Sequence, residues 1–275
     1  MSTYSSLEIE TEGQVATIRM QPLHSLPPGV DPHWELSIAF AALRTDDQIR
    51  VVILTGAVDG EFLVAFPTES YSTDAAKQRL SDASGAWKTF MGIVRCLQTM
   101  AEMEKPIVAC VNGDALGFGQ SLMFDSDIIV AREDAKISDI HLGLGQVMPS
   151  HGRYSVGPPF GIVPGDGAAA LVPLYMSPAK AKEYLMLSSE YTGLELAQAG
   201  IINYAVPSDQ LRRTVDDIVR RLLERPAHAL AWTKRLANRQ LVQQLNLTLD
   251  AGVAYEMVNF LQIDKQGFIE KNTLA

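Results

Sequence analysis

The sequence predicts an α/β fold built on a parallel sheet, and three apolar runs carry this prediction. Val51 to Gly56, Ile107 to Val111 and Asp127 to Ala131 are rich in β-branched residues, as in strands covered on both faces. Trp87 to Met103, between the first two runs, has apolar residues at helical spacing. Strands that alternate with helices in this way pair in parallel through right-handed crossovers.

The segments before the central strands fit the same class. The alternation around Glu12-Gly13 predicts an N-terminal hairpin, and the prolines from Pro22 to Pro32 predict an extended loop. Phe62 to Pro67 is predicted to be a loop or short strand, and the polar stretch up to Ser84 to be loosely packed. The hairpin and the first helix are predicted at Leu7 to Arg19 and His33 to Leu43.

The glycine-rich segment Asn112 to Gly119 joins two of these strands and predicts a sharp turn into a short helix. Its three glycines permit positive φ, and the helix start offers N–H groups to a negative charge. An ordinary strand-to-helix turn explains the same glycines. The segment alone therefore does not specify a function.

The second half of the chain contains an unusual loop and then helices. Ala135 to Gly161 is predicted to be a short strand followed by a long loop with His141 and His151, and loops of that length are commonly functional. After a strand at Asn203 to Val206, the remaining residues are predicted to be helical. We therefore expect a core domain, residues 1–206, followed by a helical C-terminal region, residues 207–275.

Composition limits the function classes. A chain of 275 residues with 47% hydrophobic content can bury a full core, and a net charge of −9 argues against nucleic acid as a partner. The N-terminus has no signal-peptide pattern and no apolar run approaches about 18 residues, so we expect a cytoplasmic protein with no membrane partner. Cys96 and Cys110 lack metal-ligand spacing, which predicts no disulfide and no metal site.

Several segments together resemble the crotonase superfamily, also called the enoyl-CoA hydratase/isomerase superfamily. They span nearly the whole chain and read VVILTG, KPIVACVNGDALGFG, SDIIVARED, GIVPGDGA and AGIINYAVP. The resemblance implies repeated ββα units in two nearly perpendicular sheets, with a helical C-terminal trimerisation region and assembly as a homotrimer or dimer of trimers. It also implies an oxyanion hole of two backbone N–H groups, each worth about 3 kcal/mol to a developing enolate.

By position, the resemblance places the first oxyanion donor at Val64 and the second at Phe118. Both places depart from the family pattern. The first loop of the family reads like AGAD, whereas this chain has Val64-Ala65-Phe66-Pro67. The second loop of the family has three successive glycines, and in this chain Phe118 replaces the middle glycine. The N–H groups remain, but we expect the side chains to intrude where a thioester would lie.

The two carboxylates of an ordinary hydratase are missing from their expected places. One would fall near Ser121, which cannot act as a carboxylate base, and the other in the region of the long loop after Ser138. Addition of water to an enoyl thioester needs carboxylates that place and activate the water. We therefore do not expect an ordinary enoyl-CoA hydratase.

A closer resemblance is to the β-diketone hydrolases of the superfamily, the branch of 6-oxocamphor hydrolase. It rests on GIVPGDGA, on the His-x-Glu-Leu at residues 33–36 and on spaced residues between 239 and 256. In that branch an aspartate of the VPGDG motif orients a histidine that activates water for a retro-Claisen cleavage. A further pocket histidine of that branch falls at Phe118. The site residues so implied are Asp166 as the acid, His33 and Glu256 as further polar residues, and His141 or, second, His151 as the activating histidine.

Each candidate also has a plainer explanation. Asp166 precedes a helix and would serve well as its N-cap, and Glu256 on a terminal helix would ordinarily face solvent. His141 and His151 would be exposed loop residues, and His33 a cap or a packed surface residue. A His-Asp pair nevertheless has a mechanical reason, because the carboxylate fixes the tautomer and stabilises the imidazolium.

The leading hypothesis is a crotonase-fold hydrolase that cleaves a carbon-carbon bond in a cyclic or bulky β-diketone, a small-molecule substrate, without metal or organic cofactor. The second keeps the fold and predicts an enoyl-CoA hydratase, isomerase or thioester hydrolase with an atypical site, in which coenzyme A enters only as part of the substrate. The third is a catalytically silent binding protein, which the altered oxyanion loops permit.

Overall fold

Two main sheets and one separate strand pair form the frame of the protein. A computed structural model describes residues 4–64, 83–142, 146–148, 153–155 and 161–262. The strands of this described part are β1 (Leu7–Glu12), β2 (Val15–Met20), β3 (Val51–Gly56), β4 (Gly60–Val64), β5 (Ile107–Val111), β6 (Gly113–Leu116), β7 (Ile128–Arg132), β8 (Lys136–Ser138), β9 (Gln146–Met148), β10 (Arg153–Ser155), β11 (Tyr191–Thr192) and β12 (Tyr204–Val206).

The larger sheet has the order β1-β2-β3-β5-β7-β12. β1 and β2 pair antiparallel as the predicted hairpin, and every other neighbouring pair is parallel. β3 and β5 are buried along their whole length, as expected of strands covered on both faces. The predicted α/β class with a parallel sheet is confirmed.

The smaller sheet, in the order β11-β8-β6-β4, corrects the prediction for Asn112 to Gly119. Instead of turning at once, the chain continues as β6, which pairs in parallel with β4 and β8. Gly113 permits this pairing because a Cβ there would lie 1.8 Å from the carbonyl carbon of Gly60. The positive φ expected of the turn is found at Gly117, at 59°.

Helices fill the segments between strands and make up the described C-terminal region. They are α1 (Pro32–Thr45), α2 (Ala83–Glu102), α3 (Phe118–Phe124), α4 (Ala168–Tyr175), α5 (Pro178–Met186), α6 (Gly193–Gln198), α7 (Ser208–Leu223), α8 (Ala227–Ala237) and α9 (Arg239–Gln262). α1 begins at Pro32, and the Asp31 side chain caps it by accepting from the N–H groups of His33 and Trp34. α7 to α9 confirm the predicted helical C-terminal region.

The long loop from Ala135 to Gly161 contains more regular structure than its sequence indicates. It begins with β8, as predicted, and later forms the antiparallel pair β9 and β10. With three residues in each strand, the alternation is too short to be recognised in the sequence. His151 lies outside the described residues, and so does most of the polar stretch before Ser84.

Close packing in the core fixes the start of α1. α1 and α2 cross at Gly92, where a Cβ would lie 2.6 Å from the backbone nitrogen of Trp34. This contact holds His33 against α2. Cys96 and Cys110 are free and buried. None of the described helices combines the length and the apolar character needed to cross a membrane.

Candidate active site

His141 follows β8 and is almost completely buried, with 1% of its surface exposed. Its backbone N–H donates to Asp139 Oδ1 at 3.1 Å, and its ring Nδ1 lies 3.1 and 3.2 Å from the two oxygens of the same carboxylate. Asp139 is itself fully buried. The carboxylate therefore fixes both the backbone after β8 and the orientation of the imidazole ring.

The opposite ring nitrogen, Nε2, faces two further carboxylates. It lies 3.5 Å from Asp166 Oδ2 and 3.5 Å from Glu256 Oε1. Asp166 belongs to the loop before α4 and Glu256 to α9, and both are buried. Glu256 Oε2 has no hydrogen-bond partner among the described residues. Three separate parts of the chain thus meet at the ring of His141.

A contact between two glycines brings α9 against the loop before α4. A Cβ on Gly165 would lie 2.2 Å from the carbonyl oxygen of Gly252 and 2.8 Å from Glu256 Cβ. One turn beyond Glu256, Asn259 Oδ1 accepts a hydrogen bond from the N–H of Val163 at 3.0 Å. These contacts fix the position of Glu256 relative to the loop.

A buried chain of hydrogen bonds holds the other oxygen of Asp166. Ser121 Oγ donates to Asp166 Oδ1 at 3.3 Å, and Gln120 Nε2 donates to Ser121 Oγ at 3.2 Å. The hydroxyl of Tyr184 donates in turn to Gln120 Oε1 at 3.3 Å. Because this chain ends on Oδ1, Asp166 presents Oδ2 to His141.

Three carboxylates around one buried ring produce large pKa shifts. Burial by itself lowers the pKa of His141, but the charges of Asp166 and Asp139 outweigh it and raise that pKa well above its usual value. Burial raises the pKa of Asp166 to about 7, and the charge of His141 opposes this rise. Repulsion from Glu256 and Asp139 adds to the rise. Asp166 can therefore gain or lose a proton near neutral pH, as acid-base catalysis requires.

His33 and Phe118 lie side by side near this cluster. Their ring centroids are 4.5 Å apart in an edge-to-face contact, and His33 Nδ1 lies 3.0 Å from Asp31 Oδ1. Burial raises the pKa of Asp166, and a positive charge on His33 acts in the opposite direction. His33 is therefore within electrostatic reach of the cluster, and the buried ring of Phe118 packs against it.

The two predicted oxyanion donors lie on adjacent segments. Val64 ends β4 and pairs with Leu116 of β6, and Phe118 begins α3 two residues after Leu116. Gly119 lets these segments touch, since a Cβ there would lie 2.1 Å from the carbonyl oxygen of Leu63. The role of the two N–H groups as an oxyanion hole stays a prediction.

Three residues predicted from the sequence, His141, Asp166 and Glu256, lie together in the structure. His33, the fourth, lies near them. His151, the second choice as partner of Asp166, lies outside the described residues. The catalytic roles of all these residues stay predictions.

Two neighbours of the cluster were missed by sequence reasoning. Asp139 precedes His141 by two residues, a spacing that lets one carboxylate accept from both the backbone and the ring of the histidine. This Asp-x-His spacing is the signal that could have found it. Ser121 stands where the family pattern has a carboxylate base, and no local pattern in the sequence indicates its hydrogen bond to Asp166.

The cluster also contains potential metal ligands. Atoms of Asp139, His141 and Asp166 lie within 4.8 Å of one another. The two aspartates, however, face opposite nitrogens of the ring, whereas ligands of a single ion gather around one ring nitrogen. The arrangement fits a shared proton better than a metal ion, and the predicted absence of a metal stays a prediction.

Comparison with known proteins identifies the family. Residues 31–274 match the family model described as enoyl-CoA hydratase/isomerase. The chain belongs to this family, the crotonase superfamily. The crotonyl-CoA hydratase of Syntrophomonas wolfei is 25% identical over 98% of this chain and 99% of its own length. The short-chain-enoyl-CoA hydratase of Clostridium acetobutylicum is 23% identical over 92% of this chain and 87% of its own length.

Solved structures of the crotonase superfamily share the fold. An enoyl-CoA hydratase/isomerase from Mycobacterium paratuberculosis superimposes with a TM-score of 0.78 at 25% identity, covering 95% of this chain and 96% of that one. A β-diketone hydrolase from the cyanobacterium Anabaena, bound to (S)-3-oxocyclohexyl acetic acid, superimposes with a TM-score of 0.76 at 24% identity. This match covers 94% of this chain and 95% of the hydrolase chain. The chain is an enzyme of the crotonase superfamily, and these relatives differ in the reaction they catalyse.

Proposed function

We propose that this crotonase-superfamily enzyme cleaves a carbon-carbon bond of a cyclic or bulky β-diketone by a retro-Claisen reaction. The observation that carries the proposal is the buried cluster of His141, Asp166 and Glu256, in a chain with Ser121 where a hydratase carboxylate is expected. A β-diketone hydrolase with the same fold supports it. The reaction uses a small-molecule substrate and needs no metal or organic cofactor.

The reaction requires one water molecule and a proton acceptor. The cluster takes a proton from water while the water oxygen bonds to one carbonyl carbon of the diketone. The bond between that carbon and the carbon between the two carbonyls then breaks, and its electron pair leaves as an enolate. Return of the proton to the enolate carbon gives a keto acid, the product of adding one water.

The developing enolate needs stabilisation in a dry site. In this proposal the N–H of Phe118 donates to its oxygen, and the N–H of Val64 does so once it is released from the Glu61 carboxylate to which it donates, at about 3 kcal/mol each. The side chains at both segments differ from the family pattern, but every residue other than proline has a backbone N–H. The two donor groups therefore remain despite these changes. The side chains instead limit which substrates fit.

Asp166→Asn tests the proposal on a panel of 6-oxocamphor-like and monocyclic β-diketones. We expect the wild type to release ring-opened keto acids and the variant to lose about 10²- to 10⁴-fold in kcat/KM, because a proton-sharing carboxylate is gone. Asp250→Asn, which changes an exposed carboxylate of α9, is the matched control and should keep full activity. No turnover by the folded wild type would refute the proposal, and full activity of Asp166→Asn would remove Asp166 from the mechanism.

Hydration of an enoyl thioester is the second candidate, and one feature favours it. Asp166 and Glu256 supply two buried carboxylates at one imidazole, the groups that water addition requires, although neither occupies a position that the family pattern gives to a hydratase carboxylate. The names of the curated relatives point the same way. Hydration of crotonyl-CoA without diketone cleavage would decide for this candidate. Thioester binding without turnover of either substrate would favour a catalytically silent protein.

A further inference from the structure

The contacts of His141 indicate whether its ring is charged, and the charge of the ring decides whether the ring or a neighbouring carboxylate can accept a proton from water. We infer that His141 rests as an imidazolium ion, and that Glu256, rather than the imidazole, is the base that takes the proton of the attacking water. The assignment of the base rests on the proposed function, whereas the charge of the ring does not.

Both nitrogens of the ring face acceptor oxygens. Nδ1 lies 3.1 and 3.2 Å from the oxygens of Asp139, and Nε2 lies 3.5 Å from one oxygen each of Asp166 and Glu256. A neutral imidazole carries a lone pair on one nitrogen, which would then point at a carboxylate. An imidazolium donates from both nitrogens and suits both sides, whereas a neutral ring would require Asp166 or Glu256 to hold the proton and donate it to the lone pair.

The charges around the ring agree with this assignment. Carboxyl groups face it from the turn after β8, from the loop before α4 and from α9, and His33 on α1 acts on the same cluster. Burial lowers the pKa of His141, yet Asp166 and Asp139 raise it well above its usual value. An imidazolium has no lone pair and cannot accept a proton from water.

A carboxylate must therefore be the base, and the contacts distinguish the three. Both oxygens of Asp139 are occupied by His141. Asp166 accepts from Ser121 at Oδ1 and presents Oδ2 to the ring. Glu256 presents Oε1 to the ring, and its buried Oε2 has no hydrogen-bond partner among the described residues. Glu256 Oε2 is the acceptor that remains open.

The resulting step balances without another reactant. As the water oxygen bonds to the carbonyl carbon, one O–H bond breaks and its proton passes to Glu256 Oε2. The carbon-carbon bond then breaks, its electron pair remains on the enolate, and the Glu256 carboxyl group returns the proton to the enolate carbon. His141 keeps its charge throughout and stabilises the negative charge beside it.

The charge of the ring is measured by NMR on the intact protein with ¹⁵N-labelled histidine. We expect both ring nitrogens of His141 to be protonated at pH 7.5, and Asp139→Asn to lower the pH at which the ring titrates, because one negative charge is removed. His141→Asn assigns the signal among the five histidines. A neutral ring of His141 at pH 7.5 in the wild type would overturn the inference.

The base is identified by kinetics and chemical rescue. We expect Glu256→Ala to lower kcat/KM for a β-diketone about 10²- to 10⁴-fold, and added formate to restore part of it by supplying a carboxylate in the vacated space. Glu256→Gln should be equally slow but insensitive to formate, and Asp250→Asn should match the wild type. Circular dichroism confirms that the variants fold.

The outcomes separate the inference from the proposed function. Activity of Glu256→Gln within about threefold of the wild type, well short of the loss expected for a missing base, would overturn the assignment of the base. A wild type that cleaves no β-diketone would refute the function and the base together, while the NMR result would still decide the charge of His141.

Discussion

Buried carboxyl groups dominate the chemistry of this protein at the scale of single residues. Asp139, Asp166 and Glu256 all face one imidazole at 3.1 to 3.5 Å, and a proton on that ring would offset the cost of removing them from water. Asp125, at the C-terminal end of α3, faces no imidazole among the described residues. It is 1% exposed, and neither of its carboxylate oxygens has a hydrogen-bond partner among the described residues. We expect this residue to lower stability.

Replacement of Asp125 by asparagine should stabilise the protein, and more so at higher pH. Burial raises the pKa of Asp125 well above its usual value, with the charge of Lys234 opposing. The native state therefore binds a proton that the unfolded state releases above about pH 4, so stability falls as pH rises from there through the native pKa. We expect Asp125→Asn to gain about 1–3 kcal/mol at pH 8 and less at pH 5.

Urea unfolding at both pH values measures this difference. Asp250→Asn, an exposed residue, should leave the free energy of unfolding nearly unchanged at either pH. An effect of Asp125→Asn that is the same at pH 5 and pH 8 would contradict the assignment of a raised pKa.

At the scale of elements, the site depends on how α9 meets the loop before α4. α9 belongs to the C-terminal region predicted to begin at residue 207, yet it supplies Glu256 to a cluster whose other members lie before that position. The two glycines at the contact differ in the space around them. A Cβ on Gly165 would lie 2.2 Å from a backbone oxygen, whereas a Cβ on Gly252 would first meet atoms at 3.4 Å.

Alanine substitutions at these two glycines should therefore have different effects. Gly165→Ala must push α9 away from the loop, and we expect it to cost about 1–3 kcal/mol of stability and to lower activity by displacing Glu256. Gly252→Ala has room and removes a glycine from a helix interior, which can contribute up to about 1 kcal/mol. Thermal unfolding and steady-state kinetics on the pair provide the comparison. Equal destabilisation by both changes would show that the glycine contact does not determine the position of α9.

The elements that the sequence predicted correctly are those whose own residues determine them. β3, β5 and β7 are continuous apolar runs, and α2 has a clear helical period, so local pattern suffices. β6 was missed because its pairing with β4 depends on a distant strand and on the small size of Gly113. The pairing of His141 with Asp166 was expected from resemblance. The Asp-x-His spacing could have indicated Asp139, whereas the position of Glu256 depends on the tertiary contact between α9 and the loop before α4.

At the scale of the whole molecule, the C-terminal helices expose large apolar side chains. Trp232 and Leu236, one turn apart on α8, are each 66% exposed, and Leu247 and Tyr255 of α9 are 70% and 63% exposed. Adjacent exposed apolar groups of this size commonly mark a protein-protein contact. The superfamily resemblance implied trimers or dimers of trimers, and the position of these side chains is consistent with that prediction.

The assembly prediction can be tested by the mass of the protein in solution. We expect the wild type to have a mass that is three or six times that of its 30.0 kDa chain, measured by light scattering after size-exclusion chromatography. Trp232→Glu should shift the mass toward the monomer, because a charge on the apolar face of α8 would be buried without a partner. Leu194→Glu changes a partly exposed leucine of α6, outside these helices, and should leave the mass unchanged. A monomeric wild type, or a Trp232→Glu protein of unchanged mass, would show that this face of α8 does not hold the subunits together.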